Sequence, residues 1–293
     1  MDIIITYVNG LDPEWQADYT NHAGTIKSIK RYRDWGTLPY LLRGIEECIP
    51  FVEKIFLVVS RESQIPAWIN RSAVHVVLHR DFIPAQFLPT FNSTAIEMFM
   101  HKIEGLSEEF IYFNDDFFPL MPCSPTDFFR DGKIAVCMRH HLCTFKNIYR
   151  THSKRSDRLA RHAAGLKAIV SYVRPQHTCA PMLKTVCAEL YERCCDAILS
   201  SVTPLKIRDN YSQYIYTDYA HFTGHTFKQE MSNRHFSLLT ASIKNITESI
   251  IHPTSKLVCI NDVNMSKERF LRYQTCLHNA FQMRFPNKSR YER

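Results

Sequence analysis

Asn114, Asp115 and Asp116 interrupt the run E-F-I-Y-F-N-D-D-F-F, Glu109 to Phe118. Two adjacent carboxylates flanked by aromatics are costly to bury unless they are paired or hold a cation. Oxygen donors of this kind suit magnesium or manganese together with a phosphorylated substrate. For an isolated N-D-D the plainer reading is an exposed acidic turn, because Asn and Asp are common turn formers. Three other places join a strand end or turn to polar side chains: Tyr7 to Pro13, Arg174 to His177, and Lys206 to Asn210 with Asn261-Asp262 beyond. His177, in R-P-Q-H-T-C-A-P-M, reads by itself as a loop histidine capping a following helix. Arg208, in K-I-R-D-N, reads by itself as a surface ion pair with Asp209, of a kind worth less than about 1 kcal/mol.

The elements that must position these groups follow from hydrophobic periodicity. In the first 130 residues strand-like and helix-like segments alternate at the spacing of βαβ units. Asp2 to Val8 is a first strand, closed by a turn from Asn9 to Pro13, and Lys54 to Ser60 and Ala73 to Leu78 are further strands. Leu38 to Glu47 has apolar residues at helical spacing, and Thr94 to Ile103 reads as a helix capped by Ser93 or Thr94. The apolar run Phe110 to Phe113 is a buried strand, and ligands of open α/β sheets bind at the carboxyl ends of such strands. Later, Lys133 to Arg139 suggests a strand, Pro181 to Leu199 a helix and Val202 to Arg208 an extended segment. Tyr211 to Phe222 and Lys267 to Arg284 read as helices, with a strand from Lys256 to Ile260. Thr144 to Arg161 is basic and nearly without apolar periodicity, which suits a lid or a solvated surface segment.

Composition bounds the partners. A chain of 293 residues buries a sizeable core, and 45% hydrophobic with 22% charged residues is globular. The formal charge of +7 is spread over Lys27 to Arg33, Arg150 to Arg161 and Lys267 to Arg293. This suits anionic ligands or an anionic membrane surface and is too diffuse for a nucleic-acid protein. The ten cysteines form no C-x-x-C pair. Several, including Cys48, Cys137, Cys187 and Cys259, sit in apolar runs as buried free thiols would, which suits a reducing compartment. With no secretion leader and no apolar stretch of about 20 residues, the expectation is a cytoplasmic protein.

The order of these blocks resembles the Stealth family of sugar-phosphate transferases, which includes bacterial capsule and exopolysaccharide phosphotransferases and the catalytic region of the animal GlcNAc-1-phosphotransferase. The first block is D-I-I-I-T-Y-V-N-G-L-D-P-E-W, Asp2 to Trp15. The second runs from R-Y-R-D-W-G-T-L-P-Y-L-L-R-G-I-E at Arg31, through Q-I-P-A-W at Gln64 and L-P-T-F-N-S-T-A-I-E at Leu88, to F-I-Y-F-N-D-D-F-F. The third is R-P-Q-H-T-C-A-P-M-L-K-T-V-C-A-E-L from Arg174, continuing to Arg208, and the fourth is L-V-C-I-N-D, Leu257 to Asp262. Asn9 stands where many bacterial members have Asp.

The resemblance implies a Rossmann-like, GT-A-like nucleotide-sugar transferase core with a helical elaboration in the C-terminal half. That is a single catalytic domain, with a nucleotide-sugar part over 1–140 and a helical part over 141–293. The implied reaction moves a sugar 1-phosphate from a UDP-sugar to a hydroxyl of a glycan acceptor, releasing UMP, with Mg2+ or Mn2+ as cofactor. By position Asp116, His177 and Arg208 are the implied catalytic residues, and Asp115, Asp116 and Asp262 the implied metal ligands. Strand alternation would send Asp115 and Asp116 to opposite faces, favouring Asp116 as the indispensable one. Asp2, Tyr7, Asn9, Gly10 and Asp12 would form the nucleotide end, while Asn92 and Asn114 orient sugar or phosphate oxygens. Arg31, Arg33 and Asp34 are candidates for the donor diphosphate, with an internal ion pair as the alternative. A lipid-linked acceptor at the inner face of the cell membrane would give the basic C-terminal helix a docking role. The competing readings are a metal-dependent glycosyltransferase that releases UDP, and a non-catalytic glycan- or nucleotide-binding module.

Overall fold

The computed structural model describes residues 1–25, 29–142 and 147–293. The chain separates into two compact units that interleave along the sequence instead of dividing near residue 140. One comprises Met1–Asp2, Val77–Tyr112 and Pro125–Glu230, the other Ile3–Val76, Phe113–Ser124 and Met231–Arg293.

The largest sheet is built from β1 (Asp2–Thr6), β2 (Ile55–Val59), β3 (His75–Leu78), β4 (Glu109–Asn114) and a later strand, β10 (Ala180–Leu183). Its order is β10-β4-β1-β2-β3. β1 and β2 pair in parallel from Ile3↔Ile55 to Thr6↔Val58, and the crossover between them contains helices α1 (Pro13–Ala23) and α2 (Leu38–Cys48). The runs I-I-I and I-F-L-V-V are wholly buried, as parallel strands covered on both faces must be. The chain thus has the expected α/β core.

The second unit also holds a three-stranded sheet. Here β5 (Phe117–Pro119) pairs antiparallel with β13 (Leu257–Asn261), which pairs in parallel with β12 (Asn233–Ser237). Helices α9 (Ile243–Ile251) and α10 (Lys267–Arg284) pack on one another. Where α2 crosses β5 the fit depends on Gly44: a Cβ there would stand 2.5 Å from the Pro119 carbonyl oxygen and 3.4 Å from the Phe285 ring. Gly44→Ala gains about 1 kcal/mol of helix propensity. It nevertheless lowers stability by about 1–3 kcal/mol, because backbone must move to admit the methyl. The urea midpoint measures this, and an unchanged or raised midpoint would contradict it.

In the first unit, α3 (His79–Phe82) and α4 (Ser93–Glu97) precede β4, and β10 lies antiparallel to β4. A small sheet joins β6 (Phe129–Arg130), β7 (Lys133–Val136) and β11 (Thr226–Lys228), and β8 (Met138–Leu142) pairs antiparallel with β9 (Ser171–Pro175). The helices are α5 (Ile148–Ala163), α6 (Lys184–Arg193), α7 (Cys195–Ser201) and α8 (Tyr214–Phe222).

Several expectations change. The helical elaboration expected in the C-terminal half is present as α5 to α10, with six strands, β8 to β13, among those helices in the described residues. Ala180–Leu183 is an edge strand ahead of the helix expected from Pro181, and 202–208 forms no regular strand. Lys133 to Arg139 splits at Cys137 into strands of two different sheets, and Cys137 is only partly buried, unlike Cys48, Cys187 and Cys259. The basic stretch expected as a lid or solvated segment is the helix α5 over 148–163, whereas 144–146, like Lys27, lies outside the described residues. Its buried face is made of His152, Ser153, Ser156, Asp157, Leu159 and Ala160, of which two are apolar, so no apolar run marks it. Asp157 accepts from the Val173 amide at 2.9 Å and pairs with Arg161 at 2.9 Å, which satisfies a carboxylate that is otherwise costly to bury. Among the described residues no helix is long and apolar enough to cross a membrane.

Candidate functional site

The acidic pair does not lie along a continuing strand. β4 ends at Asn114, Asp115 and Asp116 form a turn, and β5 begins at Phe117 in another sheet. Strand alternation therefore does not separate the two carboxylates. β13 fixes the turn from the other side: Cys259 lies opposite Phe117, and the Ile260 amide donates to the Asp116 carbonyl at 2.9 Å. Continuing β13 beyond Asn261 brings in Asp262.

Four carboxylates gather here within the second unit. Asp34 accepts from the Tyr7 hydroxyl at 2.7 Å and from the Gly36 amide at 2.7 Å. Burial, then the charges of Asp116, Asp34 and Asp262, push the Asp115 carboxyl up to about 8. Burial pushes Asp116 up to about 6, opposed by the Cys259 thiol, which donates to its Oδ2 at 3.5 Å. The thiol and the Tyr7 phenol are in turn raised well above their usual range, mainly by burial. Asp262 is also raised by burial, against the Arg33 guanidinium 3.4 Å from its Oδ1 and the amide of Val263 at 2.6 Å. Arg33 also lies over the Phe270 ring at 4.7 Å.

Among the described residues, two oxygens of this group, Asp116 Oδ1 and Asp262 Oδ2, are buried without a hydrogen-bond partner. Like charges held together and lone pairs left unsatisfied are costly unless something cationic offsets them. Carboxylate oxygens alone are the donor set of Mg2+ or Mn2+. The residues present therefore fit such an ion. Asp34 was expected at the donor diphosphate or in an internal ion pair, and Cys259 as a buried thiol. No local signal shows that they flank Asp115 and Asp116, because each reaches the turn through tertiary packing.

The other candidates have more mixed positions. Asn9 donates its amide to Gln64 Oε1 at 2.6 Å, and its side chain accepts from Leu11 within its own turn. Gly10 approaches Tyr32 so closely that a Cβ would stand 2.3 Å from the Tyr32 carbonyl oxygen. Asp12 caps α1, its Oδ1 accepting from the Trp15 amide at 2.7 Å and from the Ser63 hydroxyl at 3.2 Å. Asp2 begins β1, roughly 16 Å along the strand from Tyr7, and binds the Ser107 amide at 2.8 Å. It belongs to the wrong end of the strand for a nucleotide contact. Arg31 is exposed, while Asn114 closes β4 half-buried.

Asn92, expected to orient sugar or phosphate, is instead the N-cap of α4, one residue before the expected cap. Its Oδ1 accepts from the Thr94 amide and hydroxyl, and its Nδ2 donates to Thr203 O and Asn210 Oδ1. Those bonds leave no group on its buried side chain directed at a ligand. His177 is exposed in the loop between β9 and β10, with Nδ1 3.5 Å from the Tyr214 hydroxyl. Arg208 sits in an exposed turn, and its neighbour Asp209 pairs with Arg155 at 3.5 Å. Asn92, His177 and Arg208 belong to the first unit and the acidic cluster to the second.

Residues 31–137 match the model of Stealth protein conserved region 2. Over 140 residues the chain is 40% identical to a receptor polysaccharide phosphotransferase, WefC, of Streptococcus oralis, a match covering 45% of this chain and 42% of that protein. It thus spans well under two thirds of that relative. A capsular polysaccharide phosphotransferase, WcwK, of Streptococcus pneumoniae aligns over the whole chain and 99% of its own length at 26% identity. Among solved structures, the Q189E active-site mutant of LgtC covers 95% of this chain and 96% of its own, at 10% identity and a TM-score of 0.45. The matched region begins at the arginines beside Asp34 and contains the Asp115-Asp116 turn. The chain carries Stealth conserved region 2 over residues 31–137 and is similar over its whole length to a polysaccharide phosphotransferase.

Proposed function

We propose that this chain transfers a sugar 1-phosphate from a UDP-sugar to a hydroxyl of a glycan acceptor in surface polysaccharide synthesis. The acceptor oxygen attacks the sugar-linked phosphorus, the bond to the bridging oxygen breaks, and UMP departs, leaving a phosphodiester. The observation that carries this reading is the carboxylate turn after β4, with two partnerless buried oxygens and Arg33 beside it. The relatives named as polysaccharide phosphotransferases support it.

Asp115, Asp116 and Asp262 would hold Mg2+ or Mn2+, which supplies positive charge to offset that of the diphosphate. The protein's own groups do the rest. Arg33, fixed by Asp262 and Phe270, adds a second positive charge within the cluster. Asp116 is raised to about 6 without the ion, and an oxygen of it that the ion leaves free would take the proton of an acceptor hydroxyl. UMP leaves as an acidic phosphate and needs little protonation. For His177 and Arg208 the roles of alternative base and partner to phosphoryl charge rest on the family resemblance alone. Cytoplasmic residence and a lipid-linked acceptor belong to the same proposal.

The test is the product formed from UDP-GlcNAc and other UDP-sugars with a divalent cation and a panel of glycans. UMP with a new phosphodiester is the expected outcome. UDP would identify a glycosyltransferase, and no turnover with any donor would favour a binding module.

A further inference from the structure

The chain's positive charge is unevenly held once the fold is known. Between Asn147 and Arg174 lie seven of the 36 Lys and Arg but one of the 29 Asp and Glu, leaving 29 against 28 elsewhere. That segment is α5, the loop over 164–170 and most of β9, all in one unit. Its single acid, Asp157, is 1% exposed and faces inward to Arg161 and the Val173 amide. From outside the segment, Asp209 reaches Arg155, and Glu230 reaches Arg139 on the adjoining strand β8.

Aliphatic side chains project into solvent at the same place. In the loop, Leu166 is 44% exposed, Ile169 42% and Val170 81%, with Lys167 between them. Leu142 ends β8 opposite Ser171, next to Val170, and is 66% exposed. Clustered exposed aliphatics mark a surface that another phase or molecule covers. An anionic glycan would satisfy the cations and leave the aliphatics in water. A protein partner would more often meet aromatics and a lysine-poor centre. An aliphatic tip that carries Lys167, on a segment rich in Arg and Lys, suits the boundary of an anionic bilayer, with the tip among acyl chains and the cations at lipid phosphates. The C-terminal helix α10 is a poorer candidate, because Arg269 and Arg284 turn inward to the carbonyls of Leu238 and Leu120.

We propose that the face formed by Leu142, Leu166, Lys167, Ile169 and Val170 docks this protein on an anionic phospholipid membrane. This goes beyond the transfer reaction and does not depend on it, so it is tested without substrate. The purified chain should co-sediment with vesicles of phosphatidylcholine and phosphatidylglycerol at least about tenfold more tightly than with phosphatidylcholine alone, and less tightly as salt rises. Replacing Ile169 and Val170 together by Asp should weaken that binding about tenfold or more. The thermal midpoint should move little, since Val170 is 81% exposed and Ile169 42%. Lys167→Glu should weaken binding to anionic vesicles only. Failure of the wild type to bind anionic vesicles would overturn the proposal, as would wild-type binding by the double variant. If the wild type is a dimer that the double variant dissociates, without vesicle binding by either, the face belongs to a second copy and the proposal is likewise overturned.

Discussion

Asp116→Asn is expected to lower kcat/KM for UMP release by about 10²–10⁴-fold, the range seen when a positioned acid-base group is removed. The protein should still fold. Its main-chain carbonyl would still accept from Ile260, and the amide side chain fills nearly the same space. Removing the charge also relieves Asp115, whose carboxyl is raised first by burial and then by Asp116. Thermal stability in the absence of metal should therefore be equal or higher while activity collapses, as expected of a site whose charges oppose folding. A variant keeping more than a tenth of wild-type turnover would remove Asp116 from the mechanism. A variant that loses activity together with its folded near-ultraviolet signal would show a structural role instead.

Divalent-metal affinity should rise steeply with pH between about 6 and 8 and flatten above, because the ion needs ionised carboxylates and must displace their protons. Asp115 is held up to about 8 and Asp116 to about 6 in the metal-free protein. Both values lie above those of an unfolded chain. Their contribution to stability is therefore complete below about pH 4, declines as pH rises, and is lost once pH passes the folded values. The slope is at most about 1.4 kcal/mol per pH unit for each group, reduced by the solvent that reaches these half-buried residues. Mg2+ or Mn2+ should accordingly raise the melting temperature far more at pH 8 than at pH 6. Calorimetry in buffers of different ionisation enthalpy should show proton release on binding at pH 7. Asp115→Asn should flatten the pH dependence. A metal-induced shift of the same size across this range would contradict the coupling.

The sequence and the fold contribute different parts of this site. Buried strands were legible because I-I-I, I-F-L-V-V and F-I-Y-F are continuous apolar runs whose burial outweighs any local alternative. The helices Leu38–Cys48 and Lys267–Arg284 were legible from helical spacing and composition. Segments whose buried face is polar were not. α5 packs through Ser, His and Asp, and such residues look solvated until their hydrogen-bond partners are known. The edge strand over Ala180–Leu183 looked helical because its pairing with β4 is a long-range contact that overrides local propensity.

The same distinction runs through the functional residues. That Asp115 and Asp116 sit together after a buried strand, in the company of ordered family blocks, was determined by the sequence alone. Only the tertiary structure decided that the pair forms a turn, that Asp34, Asp262, Arg33 and Cys259 surround it, and that Asp12 and Asn92 cap helices. A carboxylate's role depends on which charges and donors lie within a few ångströms, and that proximity comes from strand order and register, which no local stretch of sequence specifies.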